Sequence, residues 1–322
     1  MANVIAKILI EGDKHFCSKN YGGHVDYANE TITYCNKVRD IIVNEGVTHY
    51  INGGDFSYGR FDSLEYRGKV DNAIDELRQL VNGNLWFIKG NHDKASYGQT
   101  EYEYYLGRRM FKGSENLDFA LGTPNGGLHL EMKDYKDFSQ FKEVPGAINI
   151  LVTHGYFVGK AEENPIIPPQ VILQEYPAWA GADMLICGHI HTESLEKVKG
   201  YGGKDVTIHY LPCLSRPAYI KDFRPATGSV DLITVYDDGA VEFAQIPIEF
   251  LPDEESFDLA KIQLQKEKEK SAEHAAIDVA DIAKRLEEHT RVMGNPVLAI
   301  EACDAPPAVK ELAKELLKEA KA

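Results

Sequence analysis

The sequence predicts an α/β fold, and three observations support this prediction. Five short runs rich in isoleucine, leucine and valine each stop at glycine and polar residues, which is typical of buried strands. Segments with apolar residues at helical spacing separate the first three runs, and this alternation indicates parallel neighbours in a sheet. Strand-like runs on both sides of Asp238 and Gly239 predict a hairpin, and therefore a more antiparallel part of the sheet system.

The five apolar runs define the strands predicted in the first part of the chain. They lie in VIAKILIEGDKH, VTHYINGGDF, LWFIKGNHD, INILVTHG and MLICGHIH. One helix is predicted in ANETITYCNKVRDIIVNEG, where Gly46 is placed to end it. A second helix is predicted in RGKVDNAIDELRQLVNG, which Asn82 and Gly83 close.

The composition changes towards the C-terminal end. DVTIHYLPC is a further strand-like run before the hairpin. From Pro252 onward lysine, glutamate and alanine dominate, and helices are predicted in DLAKIQLQKEKEKSAEHAAIDVADIAKRLEEH and PPAVKELAKELLKEAKA. We therefore expect a main domain at residues 1–251 and a helical C-terminal extension at residues 252–322.

The overall composition excludes several classes of protein. The 322 residues are 43% hydrophobic and 26% charged, and no run approaches the roughly 20 apolar residues that span a membrane. The first residues form a strand pattern rather than a signal peptide. Five scattered cysteines argue against disulfides and favour a cytoplasmic location. A net charge of −15 argues against broad adhesion to nucleic acid.

Polar side chains with metal-binding atoms follow all five predicted strands. Ligand sites of α/β sheets lie outside the carboxyl ends of the strands, so these side chains are expected to converge. Mixed nitrogen and oxygen ligands suit manganese, iron or zinc, and they are too many for one tetrahedral site. Two metal ions would use them and would bind both the attacking and the leaving oxygen of a phosphate ester. The residues are Asp13, His15, Asp55, Asn91, His92, Asp93, His154, His189 and His191.

In chain order these residues form the motifs D-x-H, GD, GNHD, H and GHxH, which resemble those of the calcineurin-like metallophosphoesterase family. The resemblance covers roughly the first 195 residues. It implies a four-layer fold in which a two-sheet β-sandwich is flanked by helices, so that residues 1–251 would be the catalytic domain. It also implies a hydrolase that cleaves phosphodiesters by attack of a metal-bound hydroxide.

The resemblance divides the ligands between two divalent metal ions. It implies a first metal held by Asp13, His15 and His191, a second held by Asn91, His154 and His189, and a bridge made by Asp55. Manganese is the expected metal, with iron, zinc or nickel as alternatives.

The two remaining motif residues are expected to be catalytic. His92 would stabilise the phosphate or protonate the leaving oxygen, because a histidine can supply a proton near neutral pH. Asp93 would orient His92, and its alternative role is to cap a turn. The histidines outside the motifs, His209 among them, are interpreted as ordinary surface or hydrogen-bonded residues.

The combination of D-x-H, GNHD and GHxH is most similar to the nuclease subunits of double-strand-break repair complexes, which pair with a coiled-coil ATPase. A DNA nuclease is therefore the first prediction. Tyr58, Arg60, Arg108 and Arg109 are the candidate substrate contacts, because aromatic rings and guanidinium groups suit bases and phosphates. The alternative for YEYYLGRRMF is a helix with a buried tyrosine face and solvated charges.

Two other functions remain open at this stage. A phosphodiesterase or phosphatase acting on cyclic nucleotides or other small molecules fits the acidic net charge better than a duplex-binding nuclease does. A non-catalytic interaction scaffold is a third reading, although the complete ligand set argues against it. The C-terminal helices are expected to bind a coiled-coil ATPase or to pack in a homodimer, and no membrane partner is expected.

Overall fold

The computed structural model describes residues 2–20, 23–94, 98–161, 168–215 and 227–268, and the single positions 300, 310 and 314. The chain divides into two units, Met1–Phe257 and Asp258–Ala322. In the second unit, residues 259–268 are helical. The remainder of the predicted C-terminal helices, apart from the three single positions, lies outside the described residues. The domain boundary expected after residue 251 stays a prediction.

The first unit holds the strands and helices. Its strands are β1 (Val4–Glu11), β2 (His49–Asn52), β3 (Leu85–Phe87), β4 (Asn116–Phe119), β5 (Leu128–Lys133), β6 (Ile148–His154), β7 (Phe157–Val158), β8 (Val171–Ile172), β9 (Met184–Gly188), β10 (Ser194–Lys199), β11 (Asp205–Tyr210), β12 (Thr227–Tyr236) and β13 (Val241–Glu249). Its α-helices are α1 (Tyr27–Glu45), α2 (Leu64–Leu80), α3 (Glu101–Gly107) and α4 (Asp253–Ser256).

The strands form two large sheets. The first has the order β13-β12-β1-β2-β3, in which the three strands β1 to β3 are parallel and the β12–β13 hairpin runs antiparallel. The second has the order β10-β11-β9-β6-β5-β4, with four parallel central strands and two antiparallel edges. The five strands predicted from the apolar runs are therefore divided, with β1, β2 and β3 in the first sheet and β6 and β9 in the second.

The two sheets pack face to face. Because successive side chains of a strand point to opposite faces, Ile8 and Ile10 of β1 enter the core between the sheets, whereas Leu9 packs beneath the helices. Helices α1 and α2 cover the outer face of the first sheet. Phe141, Trp179 and neighbouring irregular segments cover the outer face of the second sheet. The expected two-sheet sandwich is confirmed, and its second outer layer is built from loops and short 3-10 helices.

Local sequence signals agree with the observed element ends. Gly46 ends α1 in the left-handed conformation at φ 65°, as expected. Gly239, at φ 87°, closes the predicted hairpin between β12 and β13. In α3, Tyr102 and Tyr105 are buried, which corresponds to the alternative of a helix with a buried tyrosine face.

Cysteine chemistry and membrane propensity were also expectations from composition. Among the described residues, the four cysteines Cys17, Cys35, Cys187 and Cys213 are buried free thiols. None of the helices in the described part of the chain combines the length and apolarity that a membrane crossing requires.

Candidate metal centre

Seven of the predicted ligands lie together where the two sheets meet, and we call them the strand-end cluster. They follow β1, β2 and β3 of the first sheet and end or follow β6 and β9 of the second. The members are Asp13, His15, Asp55, Asn91, His154, His189 and His191. Since the cluster contains residues from both sheets, its side chains come together because the two sheets pack face to face.

The first half of the cluster contains the three residues expected to hold one metal. His15 Nε2 lies 3.0 Å from His191 Nε2 and 3.6 Å from Asp13 Oδ2. His191 Nε2 lies 3.1 Å from the same carboxylate oxygen. His15 Nε2 also lies 3.6 Å from Asp55 Oδ2, so all three side chains aim at a common point beside Asp55.

The second half contains the other three expected ligands. The Asn91 side-chain oxygen lies 2.9 Å from His154 Nε2 and 2.8 Å from His189 Nδ1. His154 Nε2 is also 3.3 Å from Asp55 Oδ2. This oxygen of Asp55 therefore borders both halves, which is the position that a bridging carboxylate requires.

The cluster fits a pair of cations on two independent grounds. Ligand atoms held 2.0–2.2 Å from one cation at right angles to each other lie about 3 Å apart, which matches the separations across both halves. Asp55 Oδ2 is buried and has no hydrogen-bond partner in the structure. A buried carboxylate oxygen without a partner is costly, and a metal ion would satisfy it.

The electrostatics of the cluster also favour bound cations. Burial alone would raise the pKa of Asp13, but His154, His15 and His191 hold it well below its ordinary value. Burial alone would lower the pKa of His154, but the carboxylates of Asp13 and Asp55 raise it to about 9. Burial and the adjacent His154 lower the pKa of His189 to about 4. The buried carboxylates thus stabilise positive charge at the centre, and bound metal ions would supply such charge.

Three members of the cluster have strained backbones. His15, Asp55 and His189 adopt positive φ angles of 49°, 47° and 97°, which non-glycine residues rarely do. His15 is held there by a hydrogen bond from its N–H to the Asp55 carbonyl at 2.8 Å, and His189 by one from its N–H to Asp13 Oδ1 at 3.0 Å. Such strain concentrates at functional sites, where the surrounding structure enforces it.

Two glycines leave room for the cluster. A Cβ on Gly90 would lie 2.0 Å from Asp55 Oδ1, and a Cβ on Gly188 would lie 2.3 Å from Asp13 Oδ1. Neither glycine has a positive φ, so the close approach of a ligand carboxylate is the reason that only glycine fits.

His92 lies at the edge of the cluster. Its ring is 5.1 Å from that of His15 and 4.8 Å from that of Tyr58, and its backbone N–H donates to Asp55 Oδ1 at 2.8 Å. Burial lowers the pKa of His92 despite the nearby carboxylates, so its neutral form is favoured. The imidazole thus lies between the ring of His15 and the cleft that Tyr58 lines.

Asp93 is fully buried beneath the cluster. Its carboxylate accepts hydrogen bonds from the backbone N–H groups of Phe56, Ser57 and Gly90, at 2.9–3.1 Å. Burial and the proximity of Asp55 raise its pKa to about 7. These contacts join the loops after β2 and β3, so they correspond to the turn-capping alternative for Asp93.

The predicted substrate contacts fall in two places. Tyr58 and Arg60 line a cleft of about 450 Å³ together with His92, Lys19 and Asp62. By contrast, Arg108 follows α3 and donates to Tyr104 Oη at 2.9 Å and to Asp71 Oδ2 at 3.3 Å. Arg109 is exposed beside it. The structure thus brings Tyr58 and Arg60 beside the cluster and places Arg108 in contact with α2.

Two residues near the cluster carry no sequence motif. The Tyr135 ring lies 5.9 Å from that of His154 and 6.1 Å from that of His189, with Lys94 Nζ 4.5 Å from its centroid. The buried Cys213 Sγ lies within 4.8 Å of ring nitrogens of His15 and His191, and a thiol is a common metal ligand. Both residues lie in irregular segments, so no periodicity in the sequence could have indicated them.

The fold and the cluster define a metal-dependent hydrolase of phosphoesters. A family model described as calcineurin-like phosphoesterase matches residues 6–193, and the chain belongs to this family. The family expected from the motifs is therefore confirmed.

Two solved structures are similar to this chain. Vps29 from Chaetomium thermophilum shares 10% identity at a TM-score of 0.33, with 76% of this chain and 100% of that chain covered. A dimetal phosphatase from Danio rerio shares 10% identity at a TM-score of 0.42, with 77% and 100% covered. No curated protein sequence matches the chain.

Proposed function

We propose that this phosphoesterase uses two metal ions to hydrolyse phosphodiesters in nucleic acid, with DNA as the first candidate substrate. The observation that carries the two-metal assignment is the position of Asp55 Oδ2, which is buried, lacks a hydrogen-bond partner and borders both halves of the strand-end cluster. Asp13, His15 and His191 would hold one ion, and Asn91, His154 and His189 the other. Manganese is the proposed metal, with iron, zinc or nickel as alternatives.

Bound at this cluster, the metal ions would lower the pKa of a water molecule and neutralise the charge of the phosphate. His92 borders the cluster and the cleft that Tyr58 lines, so it would stabilise the phosphate through the N–H of its neutral ring or, once protonated, donate a proton to the leaving oxygen. Asp93 would act indirectly, by holding the loops that carry Asp55 and Asn91 through its three backbone hydrogen bonds.

The nucleic-acid assignment draws support from the two sides of the cluster. On one side, Tyr58 is 41% exposed and shares its cleft with Arg60. On the other side, Tyr135 stands beside His154 and His189, with Lys94 and Lys136 within 5.5 Å of its ring centroid. Aromatic rings combined with cations bind bases and backbone phosphates. A nucleic-acid strand bound across the metal centre would contact an aromatic ring and a neighbouring cation on each side.

A comparison of substrates tests this assignment. The manganese-loaded protein is assayed against single-stranded DNA, duplex DNA, a cyclic nucleotide and a chromogenic diester. Tyr135→Ala should lower cleavage of DNA about tenfold or more, because one stacked base is worth about 1–3 kcal/mol, and it should leave the chromogenic diester unaffected. Equal loss on both substrates would contradict a base-binding role for Tyr135.

The role of His92 is tested separately. His92→Ala should keep both metal ions and lose about 10²–10⁴-fold in turnover, because it would remove the imidazole that stabilises the phosphate or protonates the leaving oxygen and none of the proposed ligands. Metal content by mass spectrometry and turnover are measured on the same sample. A metal-free variant would show that His92 supports the metals instead.

A small phosphodiester is the second candidate substrate, and the net charge of −15 favours it. Such an enzyme would cleave the cyclic nucleotide or the chromogenic diester and leave DNA intact. Turnover on none of the esters, with both metals bound, would favour an interaction scaffold.

The partners of the chain remain proposals as well. The helices predicted in the C-terminal extension are the proposed contact for a coiled-coil ATPase or for a second copy of this chain. Light scattering on the full chain and on a variant that ends at residue 257 would test the homodimer, since only the full chain should then be dimeric.

A further inference from the structure

His191 is the most exposed of the four histidines in the strand-end cluster. The side chains of His15 and His154 are fully buried, whereas that of His191 is 37% exposed. Packing therefore fixes the imidazoles of His15 and His154, while the position of His191 depends on the backbone that carries it. His191 comes from the second sheet, whereas Asp13 and His15 come from the first. Its position therefore depends on the contacts that hold the loop after β9 to the first sheet.

Glu193, two residues after His191, makes that connection. Its Oε1 accepts hydrogen bonds from Ser229 Oγ at 2.8 Å and from Gln245 Nε2 at 3.0 Å. Ser229 and Gln245 lie on β12 and β13, so both belong to the first sheet. The Glu193 side chain thus ties the loop after β9 to the opposite sheet.

His209 supports the same contact from β11. It is buried, with Nδ1 at 2.8 Å from Asp231 Oδ2 and Nε2 at 3.1 Å from Gln245 Nε2. These contacts are mutually compatible when Nδ1–H donates to Asp231 and Nε2 accepts one N–H of Gln245. The second N–H of Gln245 then donates to Glu193.

The pairing of β12 with β1 connects this hydrogen-bond network, made by Glu193, His209, Ser229, Asp231 and Gln245, to the proposed ligands of the first sheet. Asp231 is paired with Ile10 on β1, the strand that leads to Asp13 and His15. His209, Ser229, Asp231 and Gln245 also lie beyond residue 193, where the match to the family model ends. The residues that hold Glu193 therefore lie in the part of this chain that the family model does not cover, whereas Glu193 is the last matched residue.

We propose that Glu193, held by Ser229 and Gln245 and supported by His209 and Asp231, positions His191 for the first metal ion. This inference rests on the proposed metal centre. Glu193 is a positioning residue that acts through the backbone of residues 191–193. Before His191, the N–H of His189 donates to Asp13 Oδ1 at 3.0 Å, and the His191 carbonyl itself accepts only a longer bond from Cys213 N–H at 3.4 Å. Glu193 therefore restrains the loop on the side that follows His191.

Metal titration by calorimetry with manganese or cobalt tests this role without relying on activity. Glu193→Ala should weaken binding at one of the two metal sites about 10–100-fold, the usual effect of removing a group that orients a ligand. Glu193→Gln should stay near the wild-type affinity, because the amide oxygen accepts the same two hydrogen bonds. Glu196→Ala removes an exposed carboxylate three residues further on, and this control should bind both metals normally.

Gln245→Ala gives an independent variant, since Gln245 is exposed and its truncation leaves the core intact. It should weaken the same site, and the double variant Glu193→Ala/Gln245→Ala should be no weaker than Glu193→Ala alone, because both remove one contact. Wild-type affinity in Glu193→Ala, or equal losses in Glu193→Ala and Glu193→Gln, would overturn the positioning role. A wild-type protein that binds no metal would overturn the metal centre itself.

Discussion

At the scale of single residues, the centre is built around two buried carboxylates, one of which has an oxygen without a hydrogen bond. Asp13 and Asp55 are each 1% exposed, and one oxygen of Asp55 has no hydrogen bond. Isolated buried charges are strongly unfavourable unless they are paired or bind a metal. In the structure His154 supplies that compensation, and its raised pKa, about 9, reflects it.

Asp55→Ala tests the residue on which both halves of the cluster depend. The expected result is loss of both metal ions together with turnover, because the proposed bridge contributes to each site. Metal content is measured by mass spectrometry after dialysis. Asp75→Ala, which removes an exposed carboxylate from α2, is the matched control and should keep both ions. Retention of two ions in Asp55→Ala would contradict the bridge.

At the scale of elements, the positions of the proposed ligands depend on strands that end in tight turns. Gly188 closes β9, and a Cβ there would lie 2.3 Å from Asp13 Oδ1 and 2.5 Å from the Gly53 carbonyl. The Gly53 carbonyl is itself 2.9 Å from His154 Nδ1. One turn therefore sets the spacing of ligands from β1, β6 and β9.

Gly188→Ala should disturb that turn. We expect a loss of about 1–3 kcal/mol in the free energy of unfolding, the usual cost of overpacking, together with weaker metal binding. Gly68→Ala is the control, because a Cβ at Gly68 meets no atom within 4 Å. It lies inside α2, where alanine should stabilise by about 0.5–1 kcal/mol. Urea unfolding of both metal-free variants measures the difference, and equal effects would refute the steric argument.

At the scale of the whole molecule, the centre depends on two sheets keeping their relative position. The core between them takes side chains from both, Ile10 and Ile186 among them. The network around Glu193 and His209 adds a polar link between the same sheets. Metal ions held by ligands from both sheets would add a third link, and they should therefore stabilise the folded chain.

Removing the metals tests this link. A metal at 100 times its Kd stabilises the folded state by about 2.7 kcal/mol, which corresponds to roughly 5–10 °C in Tm for a unit of this size. The Tm measured with manganese should therefore exceed the Tm measured with a chelator by that margin, and Asp55→Ala should show no such difference. An unchanged Tm in the wild-type protein would argue against ligands that bridge the sheets.

Sequence alone determined the strands that end at the centre, the family and the identities of the residues that cluster there. Apolar runs and short motifs are local, so residues such as Asp13 and His189 carry their own signal. Only the tertiary structure decided how the five strands divide between two sheets, that Asp93 joins loops through backbone amides, and that Tyr135 and Glu193 stand near the centre. These features arise from contacts between residues far apart in the chain, and local sequence patterns do not encode such contacts.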